Sequence, residues 1–143
     1  MMLLPMVRHP LTCVRVSVLL EAAAAGLVDR AWAFSKIRSG ARVLANAPRA
    51  EGPAAAEIAR SALDHCIGNK RGRDTHLERA IGIAQKGKMG TVERMARRAL
   101  ALCRGNVSEV GRLETELRSV GVTEPSAWAR FVTPTLVPDR GHR

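Results

Sequence analysis

Nine cations stand between positions 70 and 98: Lys70, Arg71, Arg73, Arg79, Lys86, Lys88, Arg94, Arg97 and Arg98, against Asp74, Glu78 and Glu93. Such a density is suited to polyanions, because Arg forks paired N–H groups onto phosphate oxygens and Lys adds a point charge. Two stretches in the belt, Gly-Asn-Lys-Arg-Gly-Arg from Gly68 and Lys-Gly-Lys-Met-Gly from Lys86, add glycines whose bare backbone approaches a phosphate closely. The bland alternative is a solvated charged face, common on helices. A net positive excess that covers connectors as well as helix faces favours polyanion binding.

Other constellations carry less. Gly82 to Lys88 fits the spacing of a phosphate loop, but Met89 stands where a Ser or Thr should ligate magnesium, and the segment reads as the end of a helix. Asp64-His65-Cys66 has the residue types of a nucleophilic triad, yet consecutive helical residues point about 100° apart and cannot chain hydrogen bonds. His9, His65, His76 and His142 are scattered, and Cys13, Cys66 and Cys103 have no C-x-x-C spacing. Neither acid–base catalysis nor a metal site is predicted, no cofactor is expected, and the cysteines read as reduced, buried thiols. The chain is expected not to be an enzyme.

These residues need a scaffold, and 143 residues suffice for one domain. The 46% hydrophobic and 25% charged content permits a real core. A net charge of +10 and a pI near 11.1 favour nucleic acid, ahead of an anionic membrane surface, as partner. No Tyr is present and the only aromatics are Trp32, Phe34, Trp128 and Phe131, so sheet-borne stacking platforms are excluded and recognition should run through phosphate and shape. Glu21 interrupts the best apolar run, Val16 to Val28, so no membrane span is expected. Residues 1–20 contain Arg8 and Arg15 and no acid, and an Ala-rich segment follows, which is the composition of an organellar transit peptide or of a plain basic arm.

The pattern predicts an all-α fold: a small bundle of about five helices in residues 27–132, an irregular basic arm or transit-like segment at 1–26, and an irregular tail at 133–143. Phe34, Ile37, Ala41 and Leu44 share one helical face, while Arg38 and Arg42 lie elsewhere on that helix. A second helix is expected at about Ala54 to Ile67, after a proline-bearing loop. Thr75-x-x-Glu78 has the form of a capping box and predicts a third helix start, with Leu77, Ala80, Ile81 and Ala84 inward. Thr91 is the expected N-cap of a fourth, with Val92, Met95, Ala96, Ala99, Leu100 and Cys103 as its stripe. Val110, Leu113, Leu117 and Val120 mark a fifth, with Glu114 and Arg118 as an i, i+4 pair, and Thr123 and Pro125 suit the start of a last short helix holding Trp128 and Phe131. No strand alternation, internal repeat or hairpin signal stands out.

Two stretches, Val-Asp-Arg-Ala-Trp-Ala-Phe-Ser-Lys-Ile-Arg from Val28 running on to Ala45, and Arg-Asp-Thr-His-Leu-Glu-Arg-Ala-Ile from Arg73 to Gly87, resemble the N-terminal helical domain of the YebC and mitochondrial translational activator family. The likeness covers Val28 to Gly87, and nothing after Leu100 corresponds to that family's two later α/β domains. It implies a helical module facing RNA or the ribosome, with Lys36, Arg38, Arg73 and Arg79 at the matched basic positions, in an organellar setting.

The resulting expectation is a non-enzymatic RNA-binding protein, a ribosomal subunit or translation factor in the mitochondrial matrix, or alternatively the cytoplasm. Its partners would be RNA, ribosomal RNA above all, and neighbouring proteins of a large assembly, with no small-molecule substrate. The rivals are a structural accessory subunit of a protein complex, and a helix-turn-helix DNA regulator that inserts the Thr91 helix.

Overall fold

One hydrogen-bonded turn recurs along the chain and sets its architecture. After a helix, a residue with positive φ (Gly26, Gly68, Lys88, Gly105 or Gly121) reverses the backbone. The next residue returns its N–H to the carbonyl five positions earlier: Leu27 to Ala22, Asn69 to Asp64, Met89 to Ala84, Asn106 to Ala101, Val122 to Leu117. This is the Schellman closure, and it satisfies carbonyls that the helix end would otherwise orphan. At Asn69 and Asn106 the residue that closes one helix also caps the next, its side chain accepting from Gly72 N and Glu109 N.

The computed structural model describes residues 5–132, and among them every regular element is helical. They are α1 (Pro5–Ala24), α2 (Arg30–Ala45), α3 (Glu51–Cys66), α4 (Lys70–Lys86), α5 (Gly90–Cys103), α6 (Val107–Ser119) and α7 (Pro125–Val132). The all-α expectation holds, with seven helices in place of about five. The predicted tail at 133–143 and the first four residues lie outside the described residues, as does the Phe131 side chain.

The principal difference is at the N-terminus. Most of the segment read as an irregular arm is α1, which buries Val16, Leu20 and Ala23 against the core. That i, i+4, i+7 spacing is helical, but the acid-free first twenty residues and the Ala-rich segment after them made the stretch read as a leader. Gly40 lets α1 lie close to α2, since a Cβ there would press on the Val16 side chain.

Helix starts also shift. α4 begins at Lys70, not near Thr75, because Asn69 caps it, and the Thr75 hydroxyl instead donates to the Arg71 carbonyl inside the helix. The predicted basic connector is thereby drawn into the first turn of α4. α5 starts at Gly90 behind Met89, which has no capping side chain, and Thr91 lies within the helix. Pro53 occupies the first turn of α3, where its missing N–H costs nothing.

Each helix packs on its successor, and α1 also touches α3 and α7 while α5 touches α7. One core cluster joins α1 to α5 through Leu20, Ile37, Leu44, Ile58, Leu77 and Leu100, and a second holds α7 through Met95, Leu117, Val122 and Ala129. No residue of α5 is fully exposed, which makes it the central helix of the C-terminal half.

The array contains a repeat. α3–α4 and α5–α6 are consecutive helical hairpins, and at a fixed offset Ala59, Arg60, Ala62, Leu63, Cys66, Gly68 and Asn69 correspond to Ala96, Arg97, Ala99, Leu100, Cys103, Gly105 and Asn106. The sequence was read as lacking a repeat because the second helices diverge: Leu77, Glu78 and Ile81 match Leu113, Glu114 and Leu117 only after a one-residue shift. Two-helix units stacked on their neighbours are the construction principle of helical solenoids.

Candidate nucleic-acid interface

The structure divides the predicted cations into two sets. Lys36, Arg38, Lys70, Arg71, Arg79, Lys86 and Lys88 are exposed, and among the described residues none lies within salt-bridge distance of a carboxylate. Arg73, Arg94, Arg97 and Arg98 are held internally. Arg73 Nε donates to Asp74 at 2.9 Å, Arg94 Nε to Glu116 at 3.2 Å, and Arg97 Nε to Glu93 at 3.1 Å.

Arg98, read as lying off the apolar stripe, is only 4% exposed, and Arg73 only 6%. The cause is coverage of α5 from three sides: Arg98 meets Glu114 of α6 at 2.9 Å and the Ser126 hydroxyl of α7 at 3.3 Å. These two guanidiniums join helices and do not face solvent. The same coverage leaves α5, the Thr91 helix, only partly accessible, with Arg94 and Arg97 among its half-buried positions.

Helical geometry places the free charges. On α4, with Leu77, Ala80, Ile81 and Ala84 inward, Arg79 and Lys86 are separated by two turns on the opposite face, with open space at Gly82 between them. Lys88 follows in the connector at φ 54, and Lys70 and Arg71 stand in the first turn. On α2, Lys36 lies on the flank toward α1, together with the half-exposed Trp32. Arg38 and Arg42 share the flank toward α3 and α4, and the Arg38 guanidinium lies 6.0 Å from the centre of the Phe34 ring, which Arg30 covers at 5.1 Å.

Between α2 and α4, over α3, runs a groove of about 300 Å³ lined by Arg38, Ala41, Arg42, Arg60, Leu63, Asp64, Ile67 and His76. Its counterpart between α4 and α6, over α5, holds about 170 Å³ and is lined by Ile81, Arg97, Leu100, Ala101, Arg104, Asn106 and Glu109. Arg60, Leu63, Asp64 and Ile67 are the repeat equivalents of Arg97, Leu100, Ala101 and Arg104, so the two grooves are one surface made twice. Sequence reasoning missed Arg42, Arg60, Arg104 and His76 here; the Ala-Arg-x-Ala-Leu-x-x-Cys-x-Gly-Asn recurrence was the signal that could have found Arg60.

The polar contacts of the first groove run both between α3 and α4 and along α3. His76 Nδ1 lies 2.6 Å from Glu57 and its Nε2 3.5 Å from Asp64, while Arg60 donates to the other Glu57 oxygen at 3.1 Å. Asp64 and His65 thus diverge, with Asp64 toward His76 and His65 toward Arg73, whose Nη1 approaches its Nδ1 at 3.5 Å. Cys66 follows at the helix end, where its carbonyl accepts from Arg30, so no triad forms. Burial, then the Arg73 charge, lowers the His65 pKa below its ordinary value, and burial raises the Cys13 and Cys103 thiols, keeping them protonated and unreactive. Among the described residues no group of three or more His, Cys, Asp or Glu could hold a metal, and no helix is long and apolar enough to cross a membrane.

No family model matches the chain, and no solved structure matches its fold.

Proposed function

We propose that the protein is a non-enzymatic RNA-binding component of an organellar translation apparatus, a mitochondrial ribosomal subunit or a factor that docks on the ribosome. One observation carries the reading. The predicted cations free of internal carboxylates among the described residues stand exposed, at Lys36 and Arg38 of α2, at Lys70, Arg71, Arg79 and Lys86 of α4, and at Lys88 beyond it. Arginines of α5 are neutralised by glutamates. Such a surface binds phosphates by counterion release, and the scarcity of exposed aromatics directs it to backbone and shape. The likeness of Val28 to Gly87 to the YebC and mitochondrial translational activator family supports the ribosomal partner, and the acid-poor first twenty residues support the organelle.

The test is sedimentation of the full chain from an organellar lysate through a sucrose gradient, with and without ribonuclease. Co-migration with ribosomal particles, lost on nuclease treatment, is the expected result. A nuclease-indifferent complex without RNA would overturn the proposal. That second result belongs to the rival reading, an accessory subunit of a protein assembly, which one observation favours: Leu11, Val14 and Val18 form an exposed apolar stripe on α1.

A further inference from the structure

The two grooves share an ancestry in sequence and differ in charge. In the second, both arginines are answered by carboxylates: Arg97 by Glu93, and Arg104 by Glu78 at 2.8 Å and Asp74 at 3.4 Å. Glu109 at its rim is engaged by Arg112. In the first, Arg60 has Glu57, but Arg38 and Arg42 have no carboxylate within salt-bridge distance, and Asp64 is turned to His76. Substitution at one repeat position deepens the contrast, since Arg104, which reaches Asp74 and Glu78 across the second groove, is replaced in the first by Ile67.

We infer that the first groove is a phosphate subsite, in which Arg38 and Arg42 of α2 and Arg60 of α3 converge on one backbone phosphodiester of the bound RNA. Three features suit it to that ligand. Arg38 and Arg42 are one helical turn apart on the same flank, so both guanidiniums reach into one cavity. The Arg38 guanidinium lies 6.0 Å from the centre of the Phe34 ring, and its paired N–H groups suit a fork onto two oxygens. Glu57 holds Arg60 from below, and the apolar floor of Ala41 and Leu63 lowers the local dielectric beneath the charges. His76 and Asp64 form the opposite wall, with the Asp64 carboxylate held against the ring and away from the arginines. The subsite rests on the RNA-binding reading for its ligand, but its three arginines lie apart from the Arg79 and Lys86 stripe.

Two measurements separate the inference from the reading beneath it. The first titrates inorganic phosphate against the wild-type full chain at constant ionic strength, following the arginine Nε–Hε resonances by NMR. The Arg38, Arg42 and Arg60 signals should shift in a saturable way while Arg97 and Arg104 stay in place. Uniform shifts, or none, would overturn the subsite. The second measures the salt dependence of RNA affinity for Arg38→Gln with Arg42→Gln, beside Arg97→Gln with Arg104→Gln. The first pair should lower the slope of log K against log salt by about 1 to 2, and the second pair should leave it unchanged. Unchanged slopes in both pairs, with wild-type RNA binding intact, would sink the subsite and leave the RNA-binding reading standing. Selective phosphate shifts in a chain that binds no RNA would keep the subsite as a site for a free phosphate and sink the reading. Thermal melting of each variant identifies any that has failed to fold, and the wild-type titration needs no variant.

Discussion

The α3–α4 and α5–α6 hairpins began from one pattern and diverged in how they treat charge. At equivalent buried positions the first carries Ser61, whose hydroxyl finds no partner among the described residues, and the second Arg98, which bonds to both α6 and α7. The second hairpin is therefore knit across its helices by Arg94 and Arg98, while the first pairs Arg60 and Arg73 but leaves Lys70, Arg71, Arg79 and Lys86 exposed and, among the described residues, free of carboxylates. Identical backbone turns at Gly68 and Gly105 show that the divergence lies in side chains and not in fold. A repeat can thus keep a shape while one copy becomes structural and the other interactive.

The largest effect expected from breaking this contrast is at Arg98. Arg98→Ala strips Glu114 and Ser126 of their buried partner and should cost about 3 kcal/mol in urea-induced unfolding. Ser61→Ala, its counterpart, removes an unsatisfied hydroxyl and should be neutral or stabilising by up to about 1 kcal/mol. A comparable loss at both positions would mean that the hairpins are not electrostatically distinct.

On the binding side, Arg79→Gln with Lys86→Gln should reduce RNA affinity several-fold and flatten its salt dependence by about 1.5. The surface arginine of the second hairpin, Arg112, is hydrogen-bonded to Glu109 and Glu116, and Arg112→Gln should leave affinity unaltered. Filter binding over a range of potassium chloride concentrations checks both.

A smaller effect distinguishes the connectors. Lys88 holds a left-handed conformation that glycine holds in the two Gly-Asn turns, so Lys88→Gly should raise the unfolding midpoint by an amount worth about 1 kcal/mol. Gly105→Ala should lower it by about as much. The smallest is a pH effect. The folded chain holds His65 below its ordinary value, so as pH falls below about 6.5 the unfolded chain takes up a proton that the folded chain resists. The His65 contribution is therefore full above that pH and declines as pH drops toward the folded pKa, and His65→Gln should flatten this slope in denaturation curves.

How much of this was legible in the sequence varies by residue. Apolar stripes such as Leu77, Ala80, Ile81 and Ala84 named the inward face of α4 because helical period survives any packing arrangement. Asn69, which caps α4, was passed over in favour of the capping-box form at Thr75. α1 was lost because leader-like composition and an amphipathic core helix look alike until a partner is placed against Val16 and Leu20. For the site, charge density located the belt, but pairing is in part a tertiary property: Arg97 is neutralised by Glu93 on its own helix, whereas Arg94 and Arg98 resemble Arg79 and Lys86 in one dimension and only the position of α6 neutralises them. Arg42 and Arg60 become partners of Arg38 only when α3 forms the floor between α2 and α4.

The order in which the helices touch has a consequence for how the chain acquires its shape. Nearly every contact joins a helix to its immediate successor, so the sequence separation across the core is short and little loop entropy stands between the unfolded chain and its first native pairs. Folding should be fast and able to begin at any hairpin, spreading outward as each helix finds its neighbour. The contact between α1 and α7 spans the greatest sequence separation, joining opposite ends of the described chain. That closure can form only after the array between them has been laid down, which makes it the last part of the structure to assemble and the first to open.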